Sequence, residues 1–173
     1  MKEQLQSAAG FLVFLVMCQG AQLTSSFLTM PAIRSGWYAG LEKPFFSPPD
    51  WLFGPVWTTL YFTMAVAAWI VWRLESREPL VKPALLLFFA QLIFNVLWPA
   101  IFFSMRRPGW ALVEIVGLWL LTVATALVFV RINRWAALLL LPYLGWVLYA
   151  TVLNGAIWWL NRGFVDPGGG MVA

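Results

Sequence analysis

The chain has 173 residues, of which 62% are hydrophobic and 10% charged, against about 45–50% and about 25% in a soluble domain, so a water-soluble globule is excluded. Eleven Lys and Arg against seven Asp and Glu leave a formal charge of +4, but the charges fall between long apolar runs instead of along one face, which excludes nucleic acid as a partner. With no histidine and one cysteine, Cys18, the sequence offers no Ser-His-Asp triad, no His-held metal or haem, no zinc cluster and no internal disulfide.

A bilayer core takes about 20 apolar residues per spanning helix, and the charges divide the chain into five such runs, over about residues 8–33, 51–72, 83–105, 110–130 and 135–160. Unbroken runs without two-residue alternation are helices and not barrel strands. The expected fold is an all-α integral membrane protein, one five-helix domain over 1–162, followed by a flexible tail over 163–173 that contains Pro167-Gly168-Gly169-Gly170. Tryptophans at the run ends (Trp51, Trp72, Trp110, Trp135, Trp158, Trp159) suit headgroup depth. They leave about half of the twelve tryptophans for another role.

The first run has the outline of a signal peptide, but Met17 before Cys18 and the lack of a small-residue cleavage site favour a retained helix. Gln19, Gln22, Thr24, Ser25 and Ser26 in its second half are expected against other helices. The segment from Arg34 to Asp50 exceeds the loop length of about 12 residues beyond which loops are functional or disordered. It holds Trp37, Tyr38, Phe45 and Phe46 with Pro44, Pro48 and Pro49, too aromatic and too stiff for a tether. It reads as an ordered lid over one end of the bundle, with Asp50 capping the second helix. The later connections are shorter, about four residues each. The positive-inside rule gives no orientation: Lys2, Arg73, Arg77, Lys82, Arg131 and Arg134 on one side balance Arg34, Lys43, Arg106, Arg107 and Arg162 on the other.

Within the spans, helical spacing aligns Gly54, Trp57, Tyr61 and Ala65 in the second helix, Gln91, Asn95, Trp98 and Phe102 in the third, and Pro142, Trp146, Ala150 and Asn154 in the fifth. Polar groups at membrane depth face a bundle interior or a cavity, so the three stripes are expected to line one pocket. Flat π-faces with a few directed polar groups suit a planar, mostly apolar ligand. The plainer reading is that Asn95 and Asn154 tie helices together and that the tryptophans pack a core. Glu114 is expected near the interface, paired with Arg106 or Arg107. With no other acid in the spans, a proton-coupled transporter is disfavoured.

Trp37-Tyr38-Ala39-Gly40-Leu41-Glu42-Lys43-Pro44, Pro48-Pro49-Asp50-Trp51 and Gly54-Pro55-Val56-Trp57-Thr58-Thr59-Leu60-Tyr61 resemble the signature of the translocator protein family, also called tryptophan-rich sensory proteins and, in animals, the peripheral benzodiazepine receptor. Gln91-Leu92-Ile93-Phe94-Asn95-Val96-Leu97-Trp98-Pro99 and Pro142-Tyr143-Leu144-Gly145-Trp146 with Ala150 and Asn154 extend the resemblance over all five helices. It implies a five-helix bundle, commonly a homodimer, with a pocket closed by the loop after the first helix. It also implies porphyrin ligands such as protoporphyrin IX and haem, benzodiazepine-type synthetic ligands and, in animals, cholesterol. Carried over by motif position, Tyr38, Pro48, Trp57, Gln91, Asn95, Trp98, Trp146, Ala150 and Asn154 would line that pocket, and Tyr61 shares the stripe of Trp57. Trp57 and Trp146 match the tryptophans associated with light- and oxygen-dependent porphyrin breakdown.

Two positions depart from the family. Gly155 and Ala156 stand where the animal cholesterol motif has its aromatic pair, although Arg34, Tyr38 and Leu41 fit a reversed form of it. Leu86 and Ala90 fall at the small-residue pair of the dimer contact, and only Ala90 is small. The leading expectation is a receptor or sensor that holds porphyrin as a ligand, needs no cofactor or metal, and has membrane lipid and a second copy as partners. The alternatives are oxidative porphyrin degradation through Trp57 and Trp146, and translocation of porphyrin or sterol. A bacterial cell envelope is preferred over the mitochondrial outer membrane.

Overall fold

In a computed structural model, which describes residues 2–163, the apolar runs form α1 (Lys2–Arg34), α3 (Phe53–Trp72), α4 (Val81–Pro99), α5 (Pro108–Ile132) and α6 (Arg134–Asn161). A four-residue helix, α2 (Trp37–Gly40), lies in the first loop. The five long helices, with the turns that extend α3 and α4, are each long and apolar enough to cross a membrane, which makes the chain an integral membrane protein. The proline-glycine tail falls outside the described residues.

α1 packs on α3 and α4, α4 on α5, α5 on α6, and α6 back on α3. Sequence chemistry sets the turns. Gly36, at φ 75°, takes the left-handed backbone that lets the chain leave α1 and start α2. Asn133 is the whole connection between α5 and α6; its side chain accepts from the amides of Trp135 (2.9 Å) and Ala136 (3.2 Å) and caps α6. Pro108 opens α5, where its missing N–H costs nothing.

Three expectations change. The third span does not run as one α-helix to residue 105: from Ala100 to Ser104 the backbone widens into a π turn, with the Met105 amide donating to the Ala100 carbonyl (2.9 Å). Asp50 does not cap the second span. The chain enters α3 through a 3₁₀ turn, Asp50–Leu52, in which the Leu52 amide already donates to the Pro49 carbonyl (3.0 Å), and no side-chain cap forms. Glu114 pairs with neither Arg106 nor Arg107. It lies inside the second turn of α5, where both carboxylate oxygens are buried without a hydrogen-bond partner. Arg106, at φ 55°, turns instead toward the Trp37 ring, 5.8 Å from its centroid, and the Ser35 hydroxyl.

Candidate ligand-binding site

At the end of the bundle where α1 runs into the loop, α1, α3, α4 and α6 enclose a cavity of about 300 Å³. Among the described residues, α5 contributes nothing to its lining. The walls are aromatic: Phe53 and Trp57 from α3, Trp98 from α4, Phe102 and Phe103 from the π turn, and Trp146 from α6. The Trp57 and Trp146 rings meet edge to face, 6.5 Å apart at 90°, while Trp98 lies 5.2 Å from Phe102. Phe102 and Phe103, both within the widened turn, line the cavity. Ala150 and Gly54 leave the space that the rings do not fill, since a methyl group added at Gly54 meets nothing within 4 Å.

Polar side chains tie these walls together. Tyr61 donates to Asn95 Oδ1, Asn95 Nδ2 donates to the Tyr143 hydroxyl, and Tyr143 donates to Gln91 Oε1 (2.9 Å), so that one buried chain joins α3, α4 and α6. Nearer the loop, Trp98 Nε1 donates to Asn154 Oδ1 (2.9 Å), and Asn154 Nδ2 donates to the Pro108 carbonyl (2.8 Å). Both asparagines therefore line the cavity and also join helices. On the α1 side, Gln22 Nε2 donates to Thr58 Oγ1 (2.7 Å), and Ser104 donates to the Leu28 carbonyl (2.8 Å). The Ser25 hydroxyl and the Trp146 indole N–H are buried without a partner, a state that burial makes costly unless a further group supplies the bond.

From the first loop, Tyr38 and Asp50 reach the cavity lining. Trp37, Tyr38 and Leu41 are buried, and the Tyr38 ring rests 5.4 Å from Phe103. Asn161 of α6 takes both sides of the Glu42 peptide: its Oδ1 accepts from the Glu42 amide (3.0 Å) and its Nδ2 donates to the Glu42 carbonyl (2.9 Å). Tyr149 donates to the Phe46 carbonyl (2.8 Å), and Lys43 Nζ sits 4.5 Å above the Tyr38 ring. Burial, with the negative charge of Asp50 nearby, pushes the Tyr38 phenol up to about 12, so it stays a neutral donor at physiological pH.

Of the residues singled out in the sequence, Tyr38, Trp57, Tyr61, Asn95, Trp98, Trp146, Ala150 and Asn154 come together around the cavity. Gln91 and Pro48 are not on its lining. Gln91 lies one turn beyond Asn95, and the Tyr143 hydroxyl stands between them; Pro48 belongs to the loop and does not reach inward. The sequence reading missed the α1 wall, Gln22, Ser25, Ser26, Thr29, Met30 and Ile33, and also Asp50 and Phe53. A signal was present, because Gln22, Ser25 or Ser26, and Thr29 repeat at helical spacing. Thr24, grouped with them in the sequence, faces away and donates to the Gly20 carbonyl of its own helix (2.9 Å).

The TspO/MBR family model matches residues 12–160. The chain is similar to the tryptophan-rich protein TspO of Archaeoglobus fulgidus, 45% identical over 137 residues, 79% of this chain and 86% of that one. It is 42% identical over 144 residues to the tryptophan-rich sensory protein of Cereibacter sphaeroides, covering 83% of this chain and 86% of the relative. Against the human translocator protein the identity is 42% over 130 residues, covering 74% and 76% of the two chains.

Proposed function

The chain belongs to the TspO/MBR family, and on that premise we propose that it is a membrane receptor or sensor whose cavity holds a porphyrin, protoporphyrin IX or haem, as a bound ligand. The observation that carries this is the enclosure of a π-lined cavity by Trp57, Trp98 and Trp146 beneath Tyr38. Stacking on aromatic faces suits a planar, largely apolar molecule, and the buried donors of Ser25 and Trp146 suit an acceptor on it. A volume of about 300 Å³ lies at the small end of the range of about 300–1,000 Å³ for ligand sites. A macrocycle must therefore displace the Tyr38 loop or the α1 wall as it enters. Homodimerisation through the outward face of α4, where Leu86 and Ile93 are exposed, membrane lipid as surroundings, and a bacterial cell envelope complete the reading. Relatives from Cereibacter sphaeroides and Chlorobaculum tepidum support that location.

Tryptophan-fluorescence titration with protoporphyrin IX in detergent tests it, comparing the unmodified chain with Trp57→Phe/Trp146→Phe and with Tyr38→Ala. A saturable transition is expected, weakened about tenfold in the double variant, since each aromatic contact contributes about 0.5–1.5 kcal/mol. Identical curves for all three proteins overturn the assignment. The perpendicular Trp57–Trp146 pair favours a second reading, in which a bound porphyrin under light and oxygen is oxidised beside these indoles. An absorbance spectrum that stays unchanged on illumination in air, relative to a dark control, overturns that one.

A further inference from the structure

A second concavity lies at the opposite end of the bundle, among the start of α1, the end of α3, the turn that follows it, the start of α4 and Asn133 between α5 and α6. Its volume is about 880 Å³, and its charged lining among the described residues is Arg73, Arg77 and Lys82 against one acid, Glu75. The wall that carries these cations is built, not splayed. Successive turns, Leu74 amide to Val71 carbonyl (3.0 Å), Glu75 to Trp72 (3.0 Å) and Arg77 to Leu74 (2.9 Å), wind the backbone tightly. Trp69 Nε1 donates to the Ser7 carbonyl of α1 (2.9 Å), and the Arg73 guanidinium lies 5.0 Å from the Trp69 ring. Trp72, also on the lining, is pressed so closely to α1 that a methyl group at Gly10 would come within 2.1 Å of its ring.

We propose that this basin is a binding site for the headgroup of an anionic phospholipid, with the phosphate held by Arg73, Arg77 and Lys82 and the glycerol and upper acyl chain resting on Trp72. Three cations at the ends of membrane-spanning helices meet the bilayer at headgroup depth, where anionic lipid is the abundant phosphate source. Basic pockets between such helices select those headgroups. The apolar shelf of Trp72 beside the cations is what a soluble anion does not need and a lipid does. The count of cations on the two faces does not orient the chain, but their gathering into one basin does: this face lies in the leaflet richer in anionic lipid.

The test titrates the protein in an uncharged detergent with short-chain phosphatidylglycerol or phosphatidylcholine and follows the unfolding midpoint. Phosphatidylglycerol is expected to raise the midpoint saturably and phosphatidylcholine not to. Arg77→Gln/Lys82→Gln is expected to weaken the phosphatidylglycerol response about thirtyfold, about fivefold per cation. Arg131→Gln/Arg134→Gln removes two charges from the same face that flank Asn133 but do not line the basin, and is expected to leave the response within about twofold. Equal responses to the two lipids overturn the proposal, as does an equal loss in the two double variants, which would make the attraction a general surface effect. Glycerol phosphate alone, if it raised the midpoint at the same concentration, would reassign the basin to a soluble anion and overturn the lipid assignment.

Discussion

At the end of the bundle that carries the N-terminus, the interior is filled by Ala65, Ala67, Ala68, Ala84 and Ala136, all without exposure, with Met64, Val71, Phe88 and Phe129 between them. At the loop end α3, α4 and α6 present tryptophan, tyrosine and asparagine to one another, and with the polar wall of α1 they enclose about 300 Å³ of empty space. In the first region small side chains let helices approach, and large ones stack, as Phe88 does on Phe129 at 6.2 Å and 18°. In the second, two of the wall's rings are tied to a neighbour by a hydrogen bond, Tyr61 to Asn95 and Trp98 to Asn154, while the Trp146 indole N–H has no partner. Directed polar contacts thus hold part of the cavity wall in place. The Tyr61–Asn95–Tyr143–Gln91 chain is the boundary between the two regions.

The largest effect that bears on this contrast comes from truncating one phenylalanine in each region. Phe88→Ala removes a fully buried ring from close packing and is expected to cost about 3–5 kcal/mol. Phe53→Ala, on the cavity wall, enlarges a space that is already open and is expected to cost about 1–2 kcal/mol, because the penalty grows with the new cavity created. Unfolding in mixed detergent micelles measures both. Equal costs would mean that the loop end is as tightly packed as the other.

A smaller difference separates two glycines given the same substitution. Gly10→Ala drives a methyl group into the Trp72 ring, whereas Gly54→Ala meets nothing within 4 Å. Both gain up to about 1 kcal/mol of helix propensity. Overpacking at Gly10 is expected to outweigh that gain and leave a net loss of about 1–2 kcal/mol. Gly54→Ala is expected to be neutral or stabilising, and to weaken porphyrin binding by taking up cavity space. Thermal unfolding of the two variants side by side checks the sign of each, and a destabilised Gly54→Ala would contradict the open space drawn beside it.

The spans were legible because uncharged runs of membrane-spanning length leave the chain few alternatives, and the three stripes were legible because helical spacing fixes which residues share a face. Spacing does not fix depth. Gln91 shares the face of Asn95, but the Tyr143 hydroxyl, arriving from α6, occupies the space between them and closes the cavity one turn short of Gln91. The π turn at Ala100–Ser104 has no local sequence rule that announces it, and the third stripe read from spacing ends at Phe102 and omits Phe103. The α1 wall was hidden for another reason. Its polar residues sit beside exposed apolar ones such as Leu23 and Phe27, so its inner face is weakly marked, and only the tertiary arrangement shows which side looks inward. Glu114 departs from the rule that charge seeks the interface: its carboxylate oxygens are buried without a partner, and Arg106 turns to the Trp37 ring instead.

The smallest effect probes the cover of the open region. Asn161 is 3% exposed, and its amide clasps the Glu42 peptide from both sides (3.0 and 2.9 Å). Asn161→Leu removes both bonds. The Glu42 amide and carbonyl lie at the membrane surface, where water replaces the lost partners, so the global cost is expected to stay near 1 kcal/mol or below. The local cost falls on the loop alone. Hydrogen exchange at residues 42–47 is expected to accelerate about fivefold, with residues 64–71 in the alanine-filled end unchanged. Release of a bound porphyrin should quicken by a similar factor if the loop retains it. Unchanged exchange at 42–47 would mean that the burial of Leu41 and the Tyr149–Phe46 bond hold the loop without Asn161, and that the cover is as rigid as the region beneath it.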